Sequence, residues 1–221
     1  ANDKNFESFM LWYSQAGTPE VSVEDEYDEN NQTYSATFTQ KNQKTPYTIP
    51  NQFGLINKDG KEFESGLMII DELVKTISFK NIKSKPTPSW FRGFSAPIKF
   101  SSDLSIQNKI YLASSDTDPF NRWDSAQSLW LEYIINPDQV IEKDLFQMIK
   151  NLFNNESDYA LLSEMISLPS EQIIHQNVGK IDVQEVHNQR NQSILSVASA
   201  FIEELIELYH QLNTPKAFDL S

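Results

Sequence analysis

The stretch Thr33-Tyr-Ser-Ala-Thr-Phe-Thr39 places three apolar side chains, those of Tyr34, Ala36 and Phe38, in alternation with hydroxyl-bearing residues. A period of two is typical of a β-strand that buries one face and exposes the other. Other short segments with strand character precede and follow this stretch, at residues 21–23, 53–56, 73–79, 89–94 and 98–100. Short strands at such spacing predict an antiparallel β-sandwich, which we place at residues 14–100.

Turn signals separate several of these predicted strands. The segment Asp28-Glu-Asn-Asn31 is expected to form a turn before the strand at 33–39. Asn57-Lys-Asp-Gly60 contains Asp-Gly, a strong hairpin signal because the favoured turns need positive φ. Pro97 interrupts the last strand-like region.

After about residue 100 the apolar residues recur every three or four positions, which is typical of amphipathic helices. Successive short helices with tight turns predict antiparallel helical hairpins of the ARM or HEAT kind over residues 101–221, without a fixed-period sequence repeat. We expect an α+β chain of two domains. The predicted helix starts are Ser102-Asp103, Asp118-Pro119, Asn136-Pro137, Tyr159, Pro169-Ser170 and Asp182 with Glu185, the last opening a long helix to about Gln211. Its predicted buried stripe is Val186, Ile194, Val197, Ala198, Phe201, Leu205 and Leu208.

Two apolar faces in the predicted structure lack an obvious partner. Residues 4–13 are expected to form a short helix that ends at Gly17-Thr18-Pro19, with Phe6, Phe9, Met10 and Tyr13 on one side. The chain also ends without a terminal helix cap of the kind that solenoids need. We therefore expect a fragment whose first helix and last helical layer would be buried in a longer parent protein.

Composition excludes several classes of function. The chain has 31 acidic and 18 basic residues, a net charge of −13 and a pI of about 4.6, which disfavours binding to nucleic acids or anionic membranes. There is no cysteine, so disulfides and cysteine nucleophiles are absent. With no targeting segment visible, we expect a cytoplasmic location.

Motifs for catalysis are missing from the sequence. The three histidines, His175, His187 and His210, have no H-E-x-x-H spacing, and no G-x-S-x-G or Gly-rich phosphate loop occurs. The acidic runs at 24–26 and 203–204 are expected by chance in so acidic a chain. We therefore predict no catalytic, cofactor-binding or metal-binding residues. Four tryptophans could form a ligand platform or belong to the core: Trp12, Trp90, Trp123 and Trp130.

Three segments of the sequence stand out, at residues 11–19, 94–99 and 118–129, and they include the uncommon strings Trp12-Tyr-Ser-Gln15 and Arg122-Trp-Asp-Ser-Ala-Gln127. These segments resemble bacterial aminopeptidase N, a gluzincin zinc metallopeptidase. Leu11-Trp-Tyr-Ser-Gln-Ala-Gly-Thr-Pro19 is similar to the junction between the family's catalytic and Ig-like domains. Phe94-Ser-Ala-Pro-Ile-Lys99 is similar to the last strand of that Ig-like domain. Asp118-Pro-Phe-Asn-Arg-Trp-Asp-Ser-Ala-Gln-Ser-Leu129 is similar to an early helix of its C-terminal helical domain.

The resemblance implies a parent enzyme that removes N-terminal residues from peptides with a zinc-bound water. It places the end of a catalytic-domain helix at 1–13, the Ig-like domain at 14–100 and the first part of the helical domain at 101–221. The family's zinc-binding H-E-x-x-H and substrate-amine G-x-M-E-N motifs are absent here, so none of its catalytic residues can be carried over. The implied partners are the missing catalytic domain and the remaining helical cap.

Two other functions stay open from the residues alone. A binding module with a β-sandwich predicts a solvent-exposed aromatic platform. A scaffold protein with an acidic surface predicts complexes with basic partners that are sensitive to salt.

Overall fold

The computed structural model describes residues 7–136, 141–178 and 182–213. The chain divides into two compact units, residues 1–124 and 125–221. The first unit holds the strands and the first helices, and the second holds the remaining helices. The two units are described separately below.

Seven strands of the first unit form two sheets. The strands are β1 (Glu20–Asp28), β2 (Thr33–Lys41), β3 (Ile49–Ile56), β4 (Glu62–Ile70), β5 (Val74–Lys80), β6 (Thr87–Ser89) and β7 (Lys99–Ser102). One sheet has the order β5-β2-β1-β7 and the other the order β4-β3-β6. All pairs are antiparallel except β1 with β7, which run parallel. The predicted sandwich is confirmed, with one parallel pair at its edge.

The alternation in β2 builds the core of the sandwich. Tyr34, Ala36 and Phe38 are all 0% exposed, while Ser35 and Thr37 face outward and pair with Ser78 and Thr76 of β5. The predicted turn after Asp28 joins β1 to β2, and the hairpin at 57–60 joins β3 to β4, with Gly60 at a φ of +78°. Local sequence therefore sets both the inward face and the reversals.

The first described helix is α1 (Glu7–Ser14). Leu11 and Trp12 pack against the sandwich core, and the Trp12 indole donates a hydrogen bond to the Thr48 carbonyl oxygen at 3.4 Å. The sequence predicted a helix at 4–13 with an apolar face that needed a separate partner. Phe6 lies outside the described residues, and the contact of Leu11 and Trp12 with the sandwich was not predicted.

The segment after β6 differs from the strand predicted at 89–94. The strand ends at Ser89, and residues 92–94 form a single 3-10 turn. Phe91, Gly93 and Phe94 have φ values of +56°, +61° and +52°, which no strand can contain. The edge strand β4 was not predicted at all, because both of its faces are largely exposed and its apolar residues do not alternate.

Helices α2 (Ile106–Ser115) and α3 (Pro119–Ile135) follow the sandwich. The Ser105 hydroxyl accepts a hydrogen bond from the Asn108 N–H and caps α2, so the cap predicted at Ser102-Asp103 was wrong by two residues or more. At α3 the Asp118 carboxylate accepts from the Asn121 N–H at 2.9 Å, as the Asp-Pro signal predicted.

In the described part of the second unit, the rest of α3 is followed by five further helices: α4 (Ile141–Asn155), α5 (Tyr159–Ile166), α6 (Glu171–Val178), α7 (Val183–Ala200) and α8 (Ile202–Leu212). Trp130 is 0% exposed in its core and donates from its indole N–H to the Met165 carbonyl oxygen at 2.8 Å. The start predicted at Asn136-Pro137 falls at the edge of the described residues, as Pro137 itself is outside them.

The long helix predicted from Asp182 to about Gln211 is interrupted. Phe201, at φ −124° and ψ +21°, separates α7 from α8. Its ring is 3% exposed and packs against Phe146 and Phe153. Of the predicted buried stripe, Val186 and Phe201 are buried, whereas Ile194, Ala198 and Leu205 are exposed. The helix is therefore interrupted at the residue whose ring is buried, Phe201.

Candidate functional site: a buried arginine cluster and two exposed apolar faces

A buried arginine joins strands and helices within the first unit. The Arg92 side chain is 7% exposed and forms ion pairs with Glu62 of β4 and Asp116, which follows α2. Its Nη2 lies 2.8 Å from an Asp116 oxygen, and its Nε donates to the Ser89 hydroxyl at 2.8 Å. Asn121 of α3 donates to the same hydroxyl at 2.7 Å. We call these five residues the arginine cluster.

The backbone around Arg92 fits the guanidinium closely. Gly54 of β3 lies directly against it, and a β-carbon at position 54 would overlap the guanidinium atoms. The left-handed conformation of Phe91 and Gly93 turns the chain on either side of Arg92. The buried Asn51 side chain accepts a hydrogen bond from the Phe91 N–H at 2.8 Å and fixes this turn.

Burial and the positive charge of Arg92 shift the pKa values of the two acidic groups, Asp116 and Glu62, in opposite directions. Burial raises the pKa of the Asp116 carboxyl above its usual range, although Ser89, the Asp118 N–H and Arg92 oppose the shift. At Glu62, burial also raises the pKa, but hydrogen bonds from Arg92 and Ser65 and the Arg92 charge outweigh it and lower the net pKa. Glu62 is therefore the better stabilised anion of the pair.

The chemistry of the arginine cluster suits a structural connection between elements and not catalysis. An arginine has no accessible proton transfer at neutral pH, and Asp116 is fully buried with its oxygens engaged. The cluster connects β4, β6, the end of α2 and the start of α3. Sequence analysis did not identify it, because its members lie up to 59 positions apart between Glu62 and Asn121. The one signal was a single charge within the apolar run Trp90-Phe-Arg-Gly-Phe94.

The histidines are not brought together. His187 Nδ1 lies 2.8 Å from Glu171 Oε1, so this pair links α6 to α7, and the amide of Asn191 contacts the other ring nitrogen. His175, four residues from Glu171, does not share that contact. His210 lies in the last turn of α8 beside the Tyr209 ring. Within 7–136, 141–178 and 182–213, no group of three His, Asp or Glu side chains is placed to hold a metal ion. The described residues thus do not fit the zinc site of a metallopeptidase.

The outer face of α1 is apolar and exposed. Phe9, Met10 and Tyr13 are 51%, 55% and 74% exposed, and the rings of Phe9 and Tyr13 contact each other. The helix therefore has one apolar side on the sandwich and another apolar side open to solvent. Exposed apolar clusters of this kind mark interaction surfaces.

A second apolar face lies on α8. Its members follow helical spacing, and none of the α8 residues is buried. The opposite side of the helix carries Glu203, Glu204 and Glu207. The exposed residues of this face are Ile202, Leu205, Ile206, Tyr209 and Leu212. An amphipathic helix with its apolar side uncovered lacks the packing that normally stabilises such a helix.

None of the described helices is long and apolar enough to cross a bilayer.

Both parts of the chain match known protein families. Residues 17–103 match a domain of unknown function with an Ig-like fold, DUF3458, and residues 106–221 match DUF3458_C, described as ARM repeats. The second match alone covers more than half of the chain, and curated relatives carry the name aminopeptidase N. This chain belongs to the aminopeptidase N family.

Aminopeptidase N of Escherichia coli is 28% identical over 236 residues, which covers 95% of this chain and 27% of that protein. Aminopeptidase N of Haemophilus influenzae is 25% identical over 95% of the chain and 27% of its own length. Aminopeptidase N of Caulobacter vibrioides is 30% identical over 77% of the chain and 21% of its own length. The chain therefore spans about a quarter of these curated relatives.

A solved structure has the same fold. The crystal structure of Legionella pneumophila aminopeptidase A in complex with aspartic acid superimposes with a TM-score of 0.86 and 27% identity, over 98% of this chain and 26% of that one. The predicted family, the Ig-like sandwich and the helical repeat domain are confirmed.

Proposed function

We propose that this chain is the non-catalytic middle and rear region of a zinc-dependent aminopeptidase, and that it positions a helical cap around the substrate chamber. The observation that carries the proposal is the arginine cluster. Through Arg92, strands of the sandwich hold the end of α2 and the first turn of α3, all within the first unit. A fixed connection of this kind supports the spacer role.

The exposed apolar faces support a place within a larger protein. On this proposal the outer face of α1 meets the catalytic part of the parent, and the face of α8 meets further helices of the cap. The domain limits 1–13, 14–100 and 101–221 stay predictions of the same proposal, as do a cytoplasmic location and zinc in the parent.

The alternative function is a binding or scaffold module that acts without any peptidase part. It is favoured by one observation, a cavity lined by aromatic side chains that is described below. It would need no contact between this chain and a catalytic domain.

Complementation in trans tests the proposal. The remaining catalytic part of the parent is purified separately and assayed on alanyl-anilide and on a peptide series, with and without this chain. We expect no hydrolysis by the chain alone, with or without added zinc, and binding of the chain to the catalytic part with a change in the preferred peptide length. Chelator-sensitive hydrolysis by the chain alone would overturn the proposal.

Matched variants locate the contact. Met10→Glu, on the outer face of α1, is expected to weaken association with the catalytic part by at least about tenfold, because it places a charge in an apolar interface. Glu64→Gln serves as the control at an exposed position on β4, outside α1. Equal association of both variants would show that α1 is not the contact.

A further inference from the structure

A cavity of about 480 Å³ lies within the first unit, between the segment that follows β6 and the first turns of α3. Six aromatic residues dominate its lining: Trp90, Phe91, Phe94, Phe100, Phe120 and Trp123. Ligand sites in proteins have volumes of roughly 300–1,000 Å³ and consist mainly of apolar and aromatic side chains with a few polar groups. The cavity has the size and composition of a small-molecule site.

Three of its rings form a continuous wall that reaches the solvent. The Phe94 and Phe120 ring centres lie 5.3 Å apart, and the Phe120 and Trp123 centres 5.6 Å apart. Phe94 is 55% exposed, and the other two rings are half-buried. Deeper in the lining, Phe91 and Phe100 contact each other at 4.8 Å. A ligand can therefore reach aromatic faces from outside without unfolding the sandwich.

One lining residue is ionisable, and it is acidic. Asp124 lies four residues after Phe120, which brings its carboxyl group to the same side of α3. Burial raises the pKa of the Asp124 carboxyl above its usual range, and the Lys109 charge opposes this shift. The other polar lining residue is Asn121, whose amide hydrogens are taken by the Ser89 hydroxyl and the Trp90 carbonyl oxygen at 2.7 and 2.8 Å. The lining residues therefore favour a cation over an anion, and the positive charge of Lys109 acts on Asp124 from outside the lining.

We propose that this cavity binds a small organic ammonium ion with an apolar body, of the arylalkylamine class. The apolar body would replace water against the rings, and the ammonium group would interact with the Asp124 carboxylate and with aromatic faces. Lys109 also interacts with the Asp124 carboxylate, so the ligand shares this group rather than meeting an isolated charge. The proposal concerns a function beyond the positioning role and uses neither Arg92 nor the exposed helical faces.

Two ligands of similar size and opposite charge test the proposal on the intact 221-residue chain. Binding of phenethylammonium and of phenylpropanoate is measured by calorimetry and by tryptophan fluorescence. We expect saturable binding of the amine, with a dissociation constant at least about tenfold lower than that of the acid. Equal affinities, or no saturation below about 10 mM amine, would overturn the proposal and leave the cavity as a packing surface for another polypeptide segment.

Two variants assign the interaction to its residues. Asp124→Asn is expected to bring the preference for amine over acid below about threefold, since it removes the charge with little change of shape. Glu64→Gln removes one charge at an exposed site on β4 and is expected to leave the preference unchanged. Trp123→Ala should weaken amine binding at least about tenfold. Thermal melting checks that each variant is folded. If a variant does not fold, the comparison of amine and acid binding on the unaltered chain still tests the proposal.

Discussion

At the residue scale, Arg92 connects several elements of the first unit. Its charge is buried, and its partners come from β4, β6 and the region of α2 and α3. Breaking a buried ion pair by removing one member leaves the other charge unpaired, which costs more than the pair itself contributes. The consequence of losing Arg92 therefore depends mainly on Asp116, whose side chain is 0% exposed.

Arg92→Met should lower the free energy of unfolding by about 3–5 kcal/mol, because Asp116 loses its buried counter-charge. Urea denaturation followed by tryptophan fluorescence measures the change. The double variant Arg92→Met with Asp116→Asn should recover part of the loss, since the uncompensated anion is gone. Lys99→Met is the control, because its ion pair with Glu20 is exposed, and should change stability by less than about 1 kcal/mol. A loss below that limit for Arg92→Met would contradict the assigned role.

Two glycines on neighbouring strands give a matched comparison. Gly54→Ala should destabilise the chain by about 1–3 kcal/mol, because the new methyl group would displace the Arg92 guanidinium. Gly66→Ala places its methyl group 3.5 Å from the Phe53 ring, an ordinary contact, and should be neutral or slightly stabilising. Urea unfolding of both variants provides the measurement. Equal effects would show that the space beside Arg92 is not limiting.

At the element scale, predictions from the sequence succeeded where local signals were sufficient. The strand β2 followed from its alternation, and the start of α3 followed from Asp118-Pro119. The prediction failed for residues 89–94, where the chain leaves the strand conformation because Asn51 and the partners of Arg92 hold it in a turn. Apart from Ser89, these partners lie 24 to 40 residues away in sequence, and the local pattern carries no information about them.

The edge strand β4 and the break at Phe201 were missed for a related reason. The strand β4 has no buried face to impose alternation. The residues on both sides of Phe201 continue a helical pattern, and only the packing of its ring against Phe146 and Phe153 distinguishes the position. The arginine cluster could not be assembled from the sequence either, although an arginine among four apolar or small neighbours is itself unusual.

Phe201→Ala should destabilise the second unit by about 3–5 kcal/mol, because a buried ring is replaced by a cavity between α4 and the α7–α8 break. Tyr209→Ala is the aromatic control, as its ring is 63% exposed, and should cost less than about 1 kcal/mol. Thermal unfolding followed by circular dichroism at helical wavelengths compares them. If both lost the same stability, the ring of Phe201 would not be a core residue.

At the scale of the whole molecule, charge and apolar surface act against each other. A net charge of −13 makes copies of the chain repel, while the exposed faces of α1 and α8 favour contact. The repulsion acts over roughly 10 Å at 0.1 M salt and over a shorter range at higher salt, whereas apolar association does not weaken with salt. The balance should therefore shift toward association as ionic strength rises.

We expect the weight-average mass in sedimentation equilibrium to increase between low and high salt. The variant Ile206→Asp with Leu212→Asp should suppress the increase without a large change in stability, because both side chains are more than half exposed. Ser199→Asp on α7 is the control for an added negative charge at an exposed position. A monomer at every salt concentration would show that these faces do not drive self-association.

The close approach of Gly54 and Arg92 has a consequence for the history of the family. A larger side chain at position 54 requires the Arg92 guanidinium to move. A smaller side chain at position 92 leaves room at position 54, so a glycine is no longer needed there. We expect neither change to be tolerated well alone, so each lineage should keep both residues or have replaced both. We expect substitutions at these two positions to be inherited together, although 38 positions separate them in the sequence.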